Sequence, residues 1–345
     1  MSRESDPEEE LRNLFEEETP AEGRPEKILL VRLSAIGDII HTLPSAVAIR
    51  RALPDSELHW VVQENFADLL RGHRAIHELI EVPRRPSLRD LVALRERLRA
   101  ERYTTALDMQ GLFKSARIVW LSGAKRKLGF HWQREFSWLF SRGVKPREEG
   151  MHVIEQYLAV ADKLFHVKPP NDRRQTPVEF DLEPQPDALA SSKAKLDALS
   201  LHGRSLAINL GAGKPEKRWP VSHYARLIPM LRDEGWAPFV IGGPGDTETY
   251  DELCAQMDVP PPSLVGRTSL AELVALLSCA NAHVAGDTGS LHIAVALGKP
   301  VVAIMGPTDP ARTGPFGRRD SALYQGPDGL PAIEPEEVVR KLRRV

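Results

Sequence analysis

The sequence predicts an α/β protein made of two doubly wound units, and three observations carry that reading. A chain of 345 residues is longer than one small core requires. From Lys27 onward, short apolar runs alternate with longer segments of helical period, the signature of a parallel sheet covered on both faces. The alternation then lapses in "VKPPNDRRQTPVEFDLEPQP" (167–186), rich in proline and charge, and restarts beyond it. The expected organisation is an acidic tail over 1–26, a first domain over 27–170, a linker over 171–187 and a second domain over 188–345. The two Rossmann-like domains are expected to face each other across a cleft.

Element by element, "KILLVRL" (27–33) reads as a buried strand, followed by a helix that passes Pro44 and runs to about Ala52. Then come "ELHWVVQ" (57–63) with another helix, "HELIEVP" (77–83), the amphipathic "SLRDLVALRERLRAERY" (87–103) and "TTALDMQ" (104–110). In the second half the strands are "SLAINLG" (205–211), "APFVIGG" (237–243), "SLVG" (263–266), "AHVAGD" (282–287) and "VVAIMG" (301–306). Helices are expected near 222–233, 246–256 and 269–280, and from Gly289.

Composition excludes several classes. No run of apolar residues is long enough to span a bilayer, and the N-terminus has no apolar signal core, so a cytoplasmic protein is expected. Cys254 and Cys279 form neither a disulfide framework nor a metal cluster, and Cys279 reads as a small buried thiol. The formal net charge of −2 conceals an asymmetry: residues 1–26 carry −7 and the remainder +5. The acidic segment has three prolines and few large apolar residues, which is the composition of a disordered tail.

In doubly wound sheets, ligands bind beyond the carboxyl ends of the strands, so the informative residues follow each apolar run. After the first strand, "SAIGDIIHTLP" (34–44) brings Ser34, Gly37 and Asp38 to the start of a helix. Asp38 reads either as a helix cap or as a group that takes a proton. "LDMQGLFKSA" (107–116) delivers Asp108, Gln110, Gly111, Lys114 and Ser115 in the same way. The segment 124–147 carries seven Lys and Arg, Arg134 among them, against Glu135, with Trp132, Phe136, Trp138, Leu139 and Phe140 interleaved. It suits nucleic acid, an acidic membrane-embedded substrate, or a solvated face over an aromatic core.

In the second half, "GAGKPEKRWP" (211–220) sets Lys214, Lys217 and Arg218 beside glycines, a combination suited to phosphate but not a Walker loop. "GGPGD" (242–246) ends in Asp246, either an N-cap or a ribose-binding carboxylate. It is not a dinucleotide fingerprint, which argues against an oxidoreductase. Asp287, Thr288, Gly289 and His292 cluster at one helix N-terminus, pointing to a ligand bearing a diphosphate.

Taken together, "LVRLSAIGDIIHTLP", "WVVQENFADLL", "LDMQGLFKSA", "KRWP" and "DTGSLHIAVALGKPVVAIMGPTDP" resemble glycosyltransferase family 9, the ADP-heptose:lipopolysaccharide heptosyltransferases, in the family's order. The first and third stretches look nearest to the heptosyltransferase I branch. The resemblance implies a GT-B fold and a metal-independent inverting transfer of heptose to a Kdo hydroxyl, with no cofactor. It implies that Asp38 is the general base, with Asp108 in reserve, and that Ser34, Gly37, Gln110, Lys114 and Arg134 serve the acceptor. Lys217, Asp246, Asp287, Thr288, Gly289 and His292 would serve ADP-heptose. The implied partners are that donor and a Kdo-lipid A acceptor at the inner membrane's cytoplasmic surface, with the protein peripheral there and no nucleic acid bound. Within this fold, a different acceptor or sugar nucleotide, or a sugar-nucleotide epimerase, are the competing readings.

Overall fold

The computed structural model describes residues 26–146, 150–164 and 178–344. The expected tail, save Glu26, and the first part of the expected linker lie outside these residues. Among the described residues, 26–146, 154–164 and 178–181 form one compact unit, and 150–153 with 182–344 form a second.

In the first unit the elements are β1 (Lys27–Val31), α1 (Ile36–Ala52), β2 (Glu57–Gln63), β3 (Glu78–Val82), α2 (Leu88–Ala100), β4 (Thr105–Asp108), α3 (Phe113–Ser122), β5 (Arg126–Phe130), β6 (Arg142–Val144) and α4 (Val153–Ala161). Helix α4 begins on Val153 and passes into this unit at Ile154. The strands form one parallel sheet in the order β3-β2-β1-β4-β5-β6. Central strand β1 is sealed on both faces, with Ile28, Leu29, Leu30 and Val31 fully buried. That is why it reads as an unbroken apolar run rather than an alternating one. At the opposite end of the sheet from the loops described below, the Lys27 ammonium bridges Glu57 and Glu101.

The second unit contains α5 (Pro186–Ala198), β7 (Arg204–Asn209), α6 (Val221–Asp233), β8 (Trp236–Ile241), α7 (Thr247–Ala255), α8 (Leu270–Cys279), β9 (Ala282–Gly286), α9 (Gly289–Ala296), β10 (Val301–Met305), α10 (Pro310–Thr313), β11 (Ala322–Tyr324) and α11 (Pro335–Leu342). Its parallel sheet runs β11-β10-β9-β7-β8. Its core joins Leu206, Ile208, Val240, Val284, Val302 and Ile304 of the sheet to Leu227, Ile228 and Leu231 of α6.

Local chemistry sets the element ends. Ser87 opens α2 with a reciprocal capping box to Asp90, and Ser269 opens α8 in the same way with Glu272. Pro44 lies inside α1, buried, and the helix runs through it to Ala52. Three expectations need correction. The segment after β2 forms only a 3₁₀ turn, Glu64–Leu69, and "SLVG" contributes a single bridge, Ser263 to Val240. Cys279 is half-buried rather than buried, because it ends α8 near the surface.

The strand order reverses between β1 and β4 in the first sheet and between β7 and β9 in the second. Each reversal opens a crevice at the carboxyl ends of its two strands, because the connections leave in opposite directions. Nearly all the candidate residues fall at these two places.

Candidate functional site

At the first reversal, β1 ends and the chain turns through Ser34 into α1. Ala35 occupies the N-cap position, and no side chain caps this helix. Asp38 is therefore the third helical residue rather than the cap. Its carboxylate turns back to Arg32, whose Nη2 stands 2.6 Å from Asp38 Oδ2. The arginine side chain is 4% exposed and the aspartate side chain 47%. Arg32 also donates to the Met109 carbonyl and lies 5.1 Å from the centre of the Tyr157 ring. Burial works against its charge, but Tyr157 and Asp38 outweigh that and raise its pKa.

The loop after β4 closes over this pair. Leu33 N–H donates to Gln110 Oε1 at 3.0 Å, which sets the amide so that Nε2 points at Ser34 Oγ, 3.4 Å away. Lys114 Nζ reaches the same hydroxyl at 3.1 Å. Burial and the nearby charge of Arg32 lower the pKa of Lys114. Ser34, Gln110 and Lys114 thus form one polar cluster beside Gly37 and Asp38. Arg134 stands apart from it: its N–H donates to the Gly111 carbonyl at 2.8 Å, and its guanidinium lies 5.8 Å from the Trp132 ring centre.

Asp108, the reserve candidate for the base, is fully buried. Its Oδ1 accepts from Gln110 N–H at 3.0 Å and Gly111 N–H at 2.9 Å. Burial raises its pKa despite these donors. The carboxylate shapes its own loop and faces no solvent, so the reserve role does not fit this geometry.

At the second reversal, Asp287 follows β9 and is held between Lys217 and His292. Lys217 Nζ lies 2.6 Å from Oδ2, and His292 Nε2 lies 3.4 Å from Oδ1. Burial alone would raise the pKa of Asp287; His292 and Lys217 overcome it and hold the carboxyl well below the usual range. Thr288 then occupies the N-cap position of α9 without a side-chain capping bond. The first N–H groups of α9, from Gly289 onward, have no partner within the helix and form a potential anion site.

Behind Thr288 runs a polar chain that the sequence did not disclose. His283 is fully buried in β9, with Nδ1 3.0 Å from the Ala207 carbonyl and Nε2 3.1 Å from Ser290 Oγ. A carbonyl only accepts, so Nδ1 carries the proton and Nε2 accepts from Ser290. Gly211 N–H donates to Asn209 Oδ1 at 2.8 Å, which leaves Asn209 Nδ2 to donate to Ser290 Oγ at 2.9 Å. With the Ser290 proton spent on His283, the 2.9 Å contact between Thr288 Oγ1 and Ser290 Oγ is donated by Thr288. Thr288 consequently presents only lone pairs beyond the chain.

Asp246 sits one strand further along. It is the N-cap residue of α7, but its Oδ2 accepts from Gly243 N–H at 2.9 Å rather than capping that helix. A methyl group on Gly211 or Gly242 would collide with its carboxylate. The glycines at the ends of β7 and β8 thus make room for an acid, and Asp246 is not joined to the Lys217–Asp287–His292 cluster. Arg32, Tyr157, Asn209, His283 and Ser290 were not anticipated. Arg32 alone carried a signal, as a charge closing an apolar strand.

The model of glycosyltransferase family 9 (heptosyltransferase) matches residues 91–339. The chain belongs to glycosyltransferase family 9. It is a glycosyltransferase, with two doubly wound units of the GT-B class. Lipopolysaccharide heptosyltransferase 1 of Escherichia coli K12 is 29% identical over 336 residues, covering 92% of this chain and 99% of its own. Among solved structures, E. coli heptosyltransferase WaaC with ADP has a TM-score of 0.73 at 26% identity, covering 92% of this chain and 99% of that one. The same protein has been solved with ADP-2-deoxy-2-fluoro heptose. A family 9 glycosyltransferase from Veillonella parvula gives a TM-score of 0.81 at 21% identity, over 93% of this chain and 98% of that one. No helix among the described residues is long and apolar enough to cross a membrane.

Proposed function

We propose that this family 9 enzyme moves heptose from ADP-heptose to a Kdo hydroxyl of the lipopolysaccharide inner core, with inversion at the anomeric carbon. The observation that carries this reading is the half-exposed carboxylate of Asp38, fixed by buried Arg32 at the strand reversal of the first unit. A single displacement needs one base on the acceptor side and a positive field on the leaving diphosphate.

The first unit supplies the acceptor side. Asp38 takes the proton from the attacking hydroxyl, and Gly37 keeps the backbone slim beside it. Ser34, Gln110 and Lys114 bind the acceptor's polar groups, with Arg134 offering a further cation. Lys114 and Arg134 suit the carboxylate of Kdo.

The second unit supplies the donor side. The α9 N–H groups from Gly289 onward and the helix dipole receive the diphosphate. Lys217, held ready by Asp287, adds charge as the bond to the anomeric carbon breaks. Asp287 and Thr288 accept from heptose hydroxyls, His292 steadies Asp287, and Asp246 accepts from the ribose. The reading needs neither metal nor cofactor. It places the protein at the cytoplasmic face of the inner membrane, where such an acceptor is exposed. The heptosyltransferase 1 relative and the nucleotide-bound neighbours support the choice of donor.

The test is a transfer assay with ADP-heptose and Kdo-lipid A, with the product anomer assigned by NMR. Asp38→Asn should lower kcat by about 10²–10⁴-fold while leaving ADP affinity intact. Transfer from another sugar nucleotide but not from ADP-heptose would overturn the donor assignment. Equal loss of ADP binding and transfer would overturn the role of Asp38.

A further inference from the structure

Three of the six tryptophans, Trp60, Trp219 and Trp236, are buried in the cores. The other three are open to solvent: Trp120 at 54%, Trp132 at 47% and Trp138 at 49%. Phe113, Phe136 and Leu139 are exposed as well, and all six come from one short stretch, 113–139. Elsewhere among the described residues, large exposed apolar side chains are scattered, which is ordinary; this concentration is not.

The backbone holds the group together. Phe113 and Trp120 stand seven residues apart on α3, hence on one helical face. The turn over 134–137 is tied to the start of α3. Arg134 N–H and Ser137 Oγ both donate to the Gly111 carbonyl, at 2.8 and 2.9 Å, and Phe113 N–H donates to Glu135 Oε2 at 3.2 Å. The Phe113 and Phe140 rings meet edge to face at 6.1 Å.

At the tip of that turn, Glu135 and Phe136 both take left-handed backbone, with φ of +55° and +61°. Bulky side chains avoid that region, so the fold spends strain there. The result is a phenylalanine left 69% exposed.

The charge around these rings selects a partner. Residues 131–145 carry Arg134, Arg142 and Lys145 against the single acid Glu135, in a chain whose net charge is −2. Arg134 lies over Trp132, and Arg142 and Lys145 are exposed on and beside β6. A second copy of the same surface would be repelled. Aromatic rings flanked by cations match the boundary of an anionic bilayer, where rings settle at head-group depth and cations meet lipid phosphates.

We propose that the face formed by Phe113, Trp120, Trp132, Phe136, Trp138 and Leu139 docks this enzyme on anionic phospholipid. This deepens the proposed function, whose acceptor is lipid-borne, by naming the surface that meets the lipid. Binding to the membrane itself requires no transfer.

The full chain should co-sediment with vesicles containing phosphatidylglycerol, poorly with pure phosphatidylcholine, and less as salt rises. Brominated lipid should quench part of its tryptophan emission. The double variant Phe136→Ser/Trp138→Ser should bind anionic vesicles at least about tenfold more weakly, with thermal unfolding unchanged. Trp120→Ser, on α3 rather than in the turn, should weaken binding on its own if the double variant does not fold. Absence of vesicle binding by the wild-type chain, equal binding by all variants, or a dimer abolished by these substitutions would each overturn the proposal. Vesicle binding without transfer to Kdo-lipid A would leave the docking face standing and count against the proposed reaction instead.

Discussion

Arg32 Nη2 stands 2.6 Å from Asp38 Oδ2, joining a buried cation to a carboxylate that is half open to solvent. The arginine is anchored by the Met109 carbonyl and the Tyr157 ring, so it acts as a fixed post from which the aspartate is oriented. Replacing Arg32 by Met removes the post and keeps much of its volume. Transfer should fall by about 10–100-fold in kcat, with ADP affinity unaltered because the residues proposed to hold the nucleotide belong to the second unit. Steady-state kinetics with titration calorimetry for ADP separate the two effects. Unchanged kcat would show that Asp38 needs no positioning.

The Ser290 chain gives a second expectation. Ser290 Oγ accepts from Asn209 and Thr288 and donates to His283. Ser290→Ala leaves the Asn209 amide and the His283 ring facing a methyl group and frees the Thr288 hydroxyl to turn. Stability should drop by about 1–3 kcal/mol, and KM for the sugar nucleotide should rise more than KM for the acceptor. Ser290→Thr, which keeps the hydroxyl, should recover part of both. Urea unfolding and two-substrate kinetics check this, and equal changes in both KM values would refute it.

Both doubly wound units were legible in the sequence, because buried parallel strands read as unbroken apolar runs and strand ends hold the polar loops. Asp38, Lys114, Lys217 and Asp287 were visible for the same reason. What pairs with them was not, since Arg32 meets Asp38 only through the turn from β1 into α1, and Lys217 meets Asp287 only once β7 and β9 are in register. The 124–147 stretch was read for its charges and interleaved aromatic rings and not for strands, yet it contains β5 and β6, whose short runs are masked by Lys and Arg. His283 lay hidden inside an apolar strand, where a buried imidazole needs two partners brought from distant positions.

Two buried histidines predict a loss of stability in acid. Burial pushes His283 down to about 4 against the pull of the Ala207 carbonyl, and His152 down to about 4 against that of Gly314. Both stay neutral in the folded chain, while in the unfolded chain they take a proton near pH 6.5. Between about pH 6.5 and 4 the unfolded state therefore binds more protons, so their contribution is complete above that window and is lost as pH falls through it. Each should account for about 1–3 kcal/mol by pH 4. His283→Gln should flatten the pH dependence of urea unfolding in this window, and an unaltered slope would sink the assignment.

Gly111 ties the loop after β4 to the exposed aromatic turn, and its backbone permits no side chain. Its φ is +69°, and a methyl group there would lie 2.7 Å from the Trp132 carbonyl oxygen. Both faults are in the backbone, so neither is relieved by a rotamer change. Gly111→Ala should cost about 2–4 kcal/mol. Gly72 provides the control, with φ of +76° and open space around it. Gly72→Ala should lose only the conformational part, about 1–2 kcal/mol. Displacing Gly111 also shifts the carbonyl that receives Arg134 and Ser137, so KM for the acceptor should rise while ADP affinity holds. Thermal unfolding of the two variants, with acceptor and ADP titrations, tests this. Equal destabilisation by both alanines would show that the Trp132 contact relaxes and that the loop is not held from this point.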